Sequence, residues 1–236
     1  MLKPILPPPS REGPSKTEPS LEERPVFLPL APTSLPASPR PLSKLERVPP
    51  ETLTKILDFD LETVAAGFAD PEWVPQKITC VAWSWIGSEE VESRISTSEG
   101  LFRRPERRRK MLVPLLEAIA EAEMITGHNI IRFDLPVLMA ECMRLGLPIL
   151  QPVFVQDTIR LRRTKGFKKG QDNLVALTGV PIPKLSLSWQ EWQLAYEEKG
   201  WATVVERCVT DVKGHKLMRQ ELLDRGWLKE PVKWRP

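Results

Sequence analysis

The apolar positions along this chain change period several times, and each change marks an element. Residues 53–63 read LTKILDFDLET, in which Leu57, Phe59 and Leu61 alternate with Asp58, Asp60 and Glu62. A two-residue period is that of a β-strand, with the acids all on one face. Residues 64–76 (VAAGFADPEWVPQ) hold no period and are expected to form a loop. Residues 78–86 (ITCVAWSWI) are β-branched and aromatic, and the turn IGSEE leads to an antiparallel partner at 91–96. Leu115, Leu116, Ile119 and Ala120 then recur at helical spacing. They predict an amphipathic helix over 114–123 with Pro114 in its first turn.

A short strand is expected at 124–126. Asp134-Leu135-Pro136 opens a further helix, with Leu135, Leu138, Met139 and Cys142 inward and Gly146 at its end. Residues 153–155 form another strand, followed by a basic stretch and two or three helices, the last and longest over 202–224. No internal repeat is present at periods of about 20–50 residues. Strands alternating with helices imply an α/β sandwich, a mixed sheet covered by helices.

Composition changes this picture at one end. The first fifty residues hold fourteen of the 25 prolines and one aromatic, Phe27. Such a segment buries too little apolar surface to offset its ordering entropy, so residues 1–50 are expected to be a flexible Pro-rich tail. The domain is placed at 51–228, with a short C-terminal tail at 229–236. No apolar run approaches the ~18 residues of a membrane span. The N-terminus lacks the apolar core and cleavage site of a signal peptide. Cys80, Cys142 and Cys208 are an odd set without close spacing, which argues against a disulfide scaffold or zinc cluster and fits a reducing, cytoplasmic setting. A net charge of +3 is too mild to decide a partner.

The acids of the first strand are the chemical anomaly, because strand interiors are depleted in Asp and Glu. In a central strand they must be paired, metal-bound or neutralised; on an edge strand they are simply solvated. Asp134 alone reads as a helix N-cap, and Asp211, on the rim of the last helix's apolar stripe, as a surface charge. Taken together, FDLET (Phe59 to Thr63), GHNIIRFD (Gly127 to Asp134) and the helical CVTDV around Asp211 resemble the three motifs of the DEDD-type 3′–5′ exonucleases. These are the DnaQ-like branch of the ribonuclease H-like fold. VQDTIRL and DNLVALTGVPIPK between the second and third motifs are similar to the family's strand, Asp-Thr turn and Leu-rich helix.

The resemblance spans roughly residues 53–225 and implies a ribonuclease H-like mixed β-sheet flanked by helices. It implies two divalent ions, Mg²⁺ or Mn²⁺, which prefer carboxylate oxygen and can hold both the attacking water and the leaving 3′ oxygen. By resemblance, Asp60 bridges both ions, Glu62 and Asp211 complete one, and Asp134 holds the other. Leu61, Thr63, Asn129 and Phe133, beside those acids, are expected along the nucleic-acid path. The run 158–170 (TIRLRRTKGFKKG) has six basic residues and no acid. Arg163, Lys165, Lys168 and Lys169 are expected to meet phosphates there, with Phe167 stacking on a base. The run 103–110 reads more readily as a solvated face.

The chain departs from the family at its general base, a Tyr four residues before the last Asp or a His five before it. Here those positions are Arg207 and Glu206, and the only tyrosine is Tyr196. Three readings compete. The metal alone can activate its water. His215, one helical turn after Asp211, can substitute. Or the domain binds nucleic acid without cutting it. The favoured reading is a metal-dependent 3′–5′ exonuclease acting on single-stranded 3′ ends of DNA, with Arg207 as an electrostatic aid. The same chemistry on RNA and a non-catalytic, polymerase-associated module are the alternatives, and a proofreading role would require a polymerase or replication partner.

Overall fold

The structure, a computed structural model, describes residues 53–65, 76–96, 104–162, 166, 168–182, 185–188, 190–192 and 200–236. The expected tail at 1–50 and most of the expected loop at 64–76 lie outside these residues. So do Arg163, Lys165 and Phe167. Among the described residues the main elements run in the order β1 (Ile56–Ala65), β2 (Gln76–Trp85), β3 (Glu92–Ile95), α1 (Pro105–Glu121), β4 (Met124–Gly127), α2 (Asp134–Leu145), β5 (Val153–Asp157), α3 (Gln171–Thr178), α4 (Trp201–Asp224) and β6 (Val232–Trp234). The strands form one sheet in the order β3-β2-β1-β4-β5-β6. β1 pairs antiparallel with β2 and parallel with β4, so the acidic strand is central. Parallel β4–β5 and antiparallel β5–β6 pairing complete a mixed sheet, as the alternation of strands and helices requires. β6 falls inside the segment expected to be a C-terminal tail: Val232 pairs with Val155 and Trp234 with Val153.

The alternation in β1 sorts its side chains onto two buried faces. Leu57, Phe59 and Leu61 join Leu112, Leu115, Leu135 and Leu138 of α1 and α2 in the main core. On the other face, Cys80 and Ala82 of β2 pack against Trp201, Val204, Cys208 and Val212 of α4. The acids of β1 therefore face α4, the helix that carries Asp211. A bulge between Glu62 and Thr63 breaks the β1–β2 register, and the Thr79 hydroxyl donates to the Glu62 carbonyl there at 2.9 Å. Bulges locally re-aim side chains, and this one falls at the carboxylate pair.

α1 begins nine residues before its expected start, at Pro105 rather than Pro114, which lies inside the helix. Its charged first half resembles a solvated run, yet Arg108, Met111, Leu112, Leu115 and Ile119 form one buried stripe at three- and four-residue spacing. Arg108 reaches the buried Glu141 of α2 at 3.0 Å, and Arg109 Nε donates to the Leu145 carbonyl at 2.8 Å. These two arginines join helices. Ala120, expected on the apolar stripe, is exposed. α2 ends as expected at Gly146, whose φ of 62° is the left-handed conformation that glycine adopts without strain. Among the described residues, no helix is long and apolar enough to cross a membrane.

Candidate metal centre

β1 and α4 bring Asp60, Glu62 and Asp211 together, each offering a carboxylate oxygen within 4.8 Å of the others. The convergence follows from two periods. Residues 60 and 62 share a strand face, and Val204, Cys208 and Val212 hold the face of α4 that presents Asp211 to it. Glu62 and Asp211 are buried and Asp60 is half-buried. Carboxylates so close repel one another, and nearby positive charge or an added proton relieves the repulsion. All-oxygen donors at this spacing suit a hard divalent cation.

Asp134 is the first residue of α2, not its N-cap; Phe133 is the cap and supplies no side-chain bond. Asp134 is 3 % exposed, and its Oδ1 meets no hydrogen-bond donor among the described residues. Its pKa is pushed up to about 7, chiefly by burial, with the charges of Asp157 and Glu62 adding to the rise. The backbone N–H groups of Asp134 and of Leu61 oppose it. Leu61 lies between Asp60 and Glu62, so this bond brings Asp134 near enough for Glu62 to act on it, while the close group itself holds Asp60, Glu62 and Asp211. The Leu61 side chain is in the main core and not on a substrate path.

The turn that delivers Asp134 explains the GHN segment. A Cβ on Gly127 would lie 2.3 Å from Ile130 Cγ2 and 2.9 Å from the Phe59 carbonyl, so only glycine fits. Asn129 has a φ of 63°, which Asn tolerates better than most residues. Asp157, at the end of β5, accepts the backbone N–H of Asn129 at 2.7 Å, of Ile131 at 3.1 Å and of Ile159 at 3.2 Å. The sequence showed Asp157 only as part of VQDTIRL. Its bonding is the anchor of the turn, and backbone donors in such a turn always need an acceptor. Thr63, Asn129 and Phe133 are half-buried around this end of the sheet.

Arg207 and His215 occupy different places from those their spacing suggested. Arg207 Nε donates to Glu62 Oε1 at 2.6 Å, Nη2 lies 3.9 Å from Asp211 Oδ2, and Nη1 donates to the Leu185 carbonyl. Its guanidinium also lies 5.6 Å from the Trp192 ring centre. Burial alone would lower its pKa, but Glu62, Asp211 and Asp60 outweigh that and hold it above the ordinary value. The guanidinium expected to act as an electrostatic aid is thus engaged by the carboxylates.

His215 is 2 % exposed, its Nδ1 2.6 Å from Asp58 Oδ2 and its Nε2 2.9 Å from the Thr158 hydroxyl. Thr158 in turn meets His128 Nδ1 at 2.9 Å. Both imidazole nitrogens are therefore held within the protein. Cys208 lies beside Asp60, its Sγ 3.5 Å from the Asp60 carbonyl, and burial pushes its thiol well above the usual range, keeping it protonated.

Lys169 and the exposed Arg132, Arg160 and Lys229 line a groove of ≈ 590 Å³ together with Ile131, Asp157, Ile159 and Leu161. Lys168 is exposed nearby in sequence. Asp157, on the groove's lining, is near enough for its charge to act on Asp134.

No family model matches the chain, and no curated protein matches it. Its fold is similar to part of the family B DNA polymerase from the hyperthermophilic archaeon Pyrobaculum calidifontis. The TM-score is 0.53 at 18 % identity over 72 % of this chain. That match spans 24 % of the polymerase's length. The likeness is one of fold.

Proposed function

We propose that this chain is a divalent-metal-dependent 3′–5′ exonuclease of the ribonuclease H-like fold that acts on single-stranded DNA ends. The observation that carries the reading is the convergence of Asp60, Glu62 and Asp211 from a central strand and the last long helix. Two things support the fold assignment. The sheet order β3-β2-β1-β4-β5, antiparallel and then parallel about β1, agrees with it. So does the likeness to one quarter of a DNA polymerase.

Asp60, Glu62, Asp211 and Asp134 would hold the ions, and the donor set fits Mg²⁺ or Mn²⁺. Bound ions of this type supply Lewis acidity and activate water. The chain's own residues do the rest. The carboxyls would orient that chemistry between β1 and α4. Leu61 N–H holds Asp134 in place. Asp157 fixes the turn that carries it, and the Arg132–Arg160–Lys169–Lys229 groove attracts the phosphate backbone. His215 is a positioning residue, tying α4 to Asp58 and Thr158.

The test is a 5′-labelled single strand incubated with Mg²⁺ or Mn²⁺. Stepwise shortening is expected, absent with chelator and absent in Asp60→Ala, which should remain folded because the change relieves carboxylate repulsion. A fully active Asp60→Ala enzyme would end the reading. Shortening of RNA but not DNA would change the substrate. A second reading, a module that binds 3′ ends without cutting, is favoured by one observation, the Arg207–Glu62 bond. No shortening of either nucleic acid at high protein concentration, with binding retained, would select it.

A further inference from the structure

We propose that Trp227, with Arg160, Arg162 and Lys229 beside it, is a base-stacking subsite for single-stranded DNA on the segment that follows the last long helix. The inference rests on the nucleic-acid reading above and extends the strand's path to residues outside the motifs.

Local backbone builds the subsite. Leu161 and Leu228 form an antiparallel bridge just beyond β5, and both are buried. Alternation then turns the residues on either side of each leucine outward. Arg160 and Arg162 flank one, Trp227 and Lys229 the other, and all four are exposed. The bridge sets Arg162 opposite Trp227, whose carbonyl accepts the Arg162 N–H at 2.8 Å. Arg160 lies opposite Lys229 by the same register. Trp227 is pinned a second time, because its N–H donates to the Leu222 carbonyl of α4 at 2.8 Å. Gly226 closes that turn with a φ of 68°, a conformation that favours glycine.

A single exposed aromatic side chain is ordinary on a protein surface. This one is 47 % exposed, and its surroundings are cationic. Among the described residues, its groove of ≈ 700 Å³ is otherwise lined by Arg162, Arg225, Gly226 and Lys229. Lys229 also lines the groove of Arg132, Arg160 and Lys169, so the two grooves adjoin. Glu230 offsets Arg162 and Glu221 offsets Arg225. Asp157, the acid of the second groove, is committed to three backbone N–H groups. Six cations against three acids leave the lining a positive excess. Cations that follow a phosphate backbone beside a rigid aromatic ring suit a single strand whatever its sequence, since every base has a face to stack. A protein-docking surface would instead be poor in charge at its centre.

The test is fluorescence anisotropy of a labelled single-stranded DNA, and of the same sequence as a duplex, in chelator over a salt series. Chelator separates binding from cutting. Trp227→Ala should weaken single-strand binding about five- to hundredfold, the loss expected when a stacked ring is removed. Its salt slope should match the native one, since no charge has been lost. Duplex binding should hold, because paired bases are already stacked. Equal affinity of Trp227→Ala and the native chain for the single strand would overturn the subsite while leaving the other groove and the metal centre untouched. An equal loss for strand and duplex, or a shallower salt slope, would also overturn it. A native chain that bound no single strand would remove the nucleic-acid reading of both grooves, and the subsite with it. Should Trp227→Ala melt below the native protein, Trp227→Phe and Trp227→Leu decide the matter. The phenylalanine variant should keep most of the affinity and the leucine variant lose it, and equal binding by the two would refute stacking.

Discussion

Asp134 is the carboxyl of this site that is hardest to charge. Burial raises it to about 7, against an ordinary value of 3.8, so near neutral pH it carries a proton for much of the time in the metal-free protein. The sign of the stability effect follows from proton counting. The folded state binds more protons than the unfolded state between the two values, so this stabilisation is fully present below pH 3.8 and is lost as pH rises through about 7. The limiting slope for one proton is about 1.4 kcal/mol per pH unit. In chelator, the native protein should therefore lose stability relative to Asp134→Asn as pH rises from about 4 to about 7. Urea denaturation of the two proteins across that range checks it, and parallel curves would refute the shift. Arg207 is the opposite case: burial works against its charge, but three acids hold its pKa above the ordinary value.

At the scale of elements, α4 is held to the sheet by more than its apolar face. His215 links it to β1 through Asp58 and to the segment after β5 through Thr158, and Arg219 Nε donates to Gln156 of β5 at 2.9 Å. Asp58, Thr158 and His215 are all buried, so removing the imidazole leaves Asp58 without its partner. His215→Ala should cost about 1–3 kcal/mol of stability, the usual penalty for orphaning a buried polar group. Its pH–rate profile should keep the shape of the native one, because both ring nitrogens are committed. A variant as stable as the native protein that had lost its low-pH limb would give His215 the part of general base. The same network makes Asp58→Asn a structural substitution. Asp58 shares a face with Asp60 in sequence, yet α4 treats the two differently: the helix covers one with a histidine and leaves the other beside Asp211.

Across the whole molecule, charge is distributed in a way that a net value of +3 conceals. Asp60, Glu62 and Asp211 gather between β1 and α4. Arg132, Arg160, Lys169 and Lys229 line a groove that reaches Asp157, and Asp157 is committed to three backbone donors. A negatively charged strand drawn into the groove would be brought towards the site. Arg160→Glu combined with Lys229→Glu should weaken binding of a single-stranded oligonucleotide about tenfold or more. It should also flatten the salt dependence by roughly one unit of log–log slope for each phosphate that is no longer neutralised. Both positions are exposed, so melting temperature should hold. Fluorescence anisotropy over a salt series measures both effects, and unchanged affinity would take the groove out of the binding path.

Local period determined the strand and helix identities and the two-faced character of β1, because side-chain direction along a strand or helix is set by the backbone within a few residues. That Asp60, Glu62 and Asp211 belong together was legible in the resemblance of their short segments to known motifs, and the structure brings those three carboxylates within 4.8 Å. The start of α1 was not legible, because a buried arginine looks like a solvated one until Glu141, on another helix, is seen beside it. β6 was invisible because three residues near the end of the chain carry too little period; pairing with β5 makes them a strand. What Arg207 and His215 touch was likewise beyond the reach of spacing. Glu62 is 145 positions from Arg207 and Asp58 is 157 from His215. The partner of a long side chain is chosen by which face of one element packs on which face of another, and that is decided only when the chain has folded.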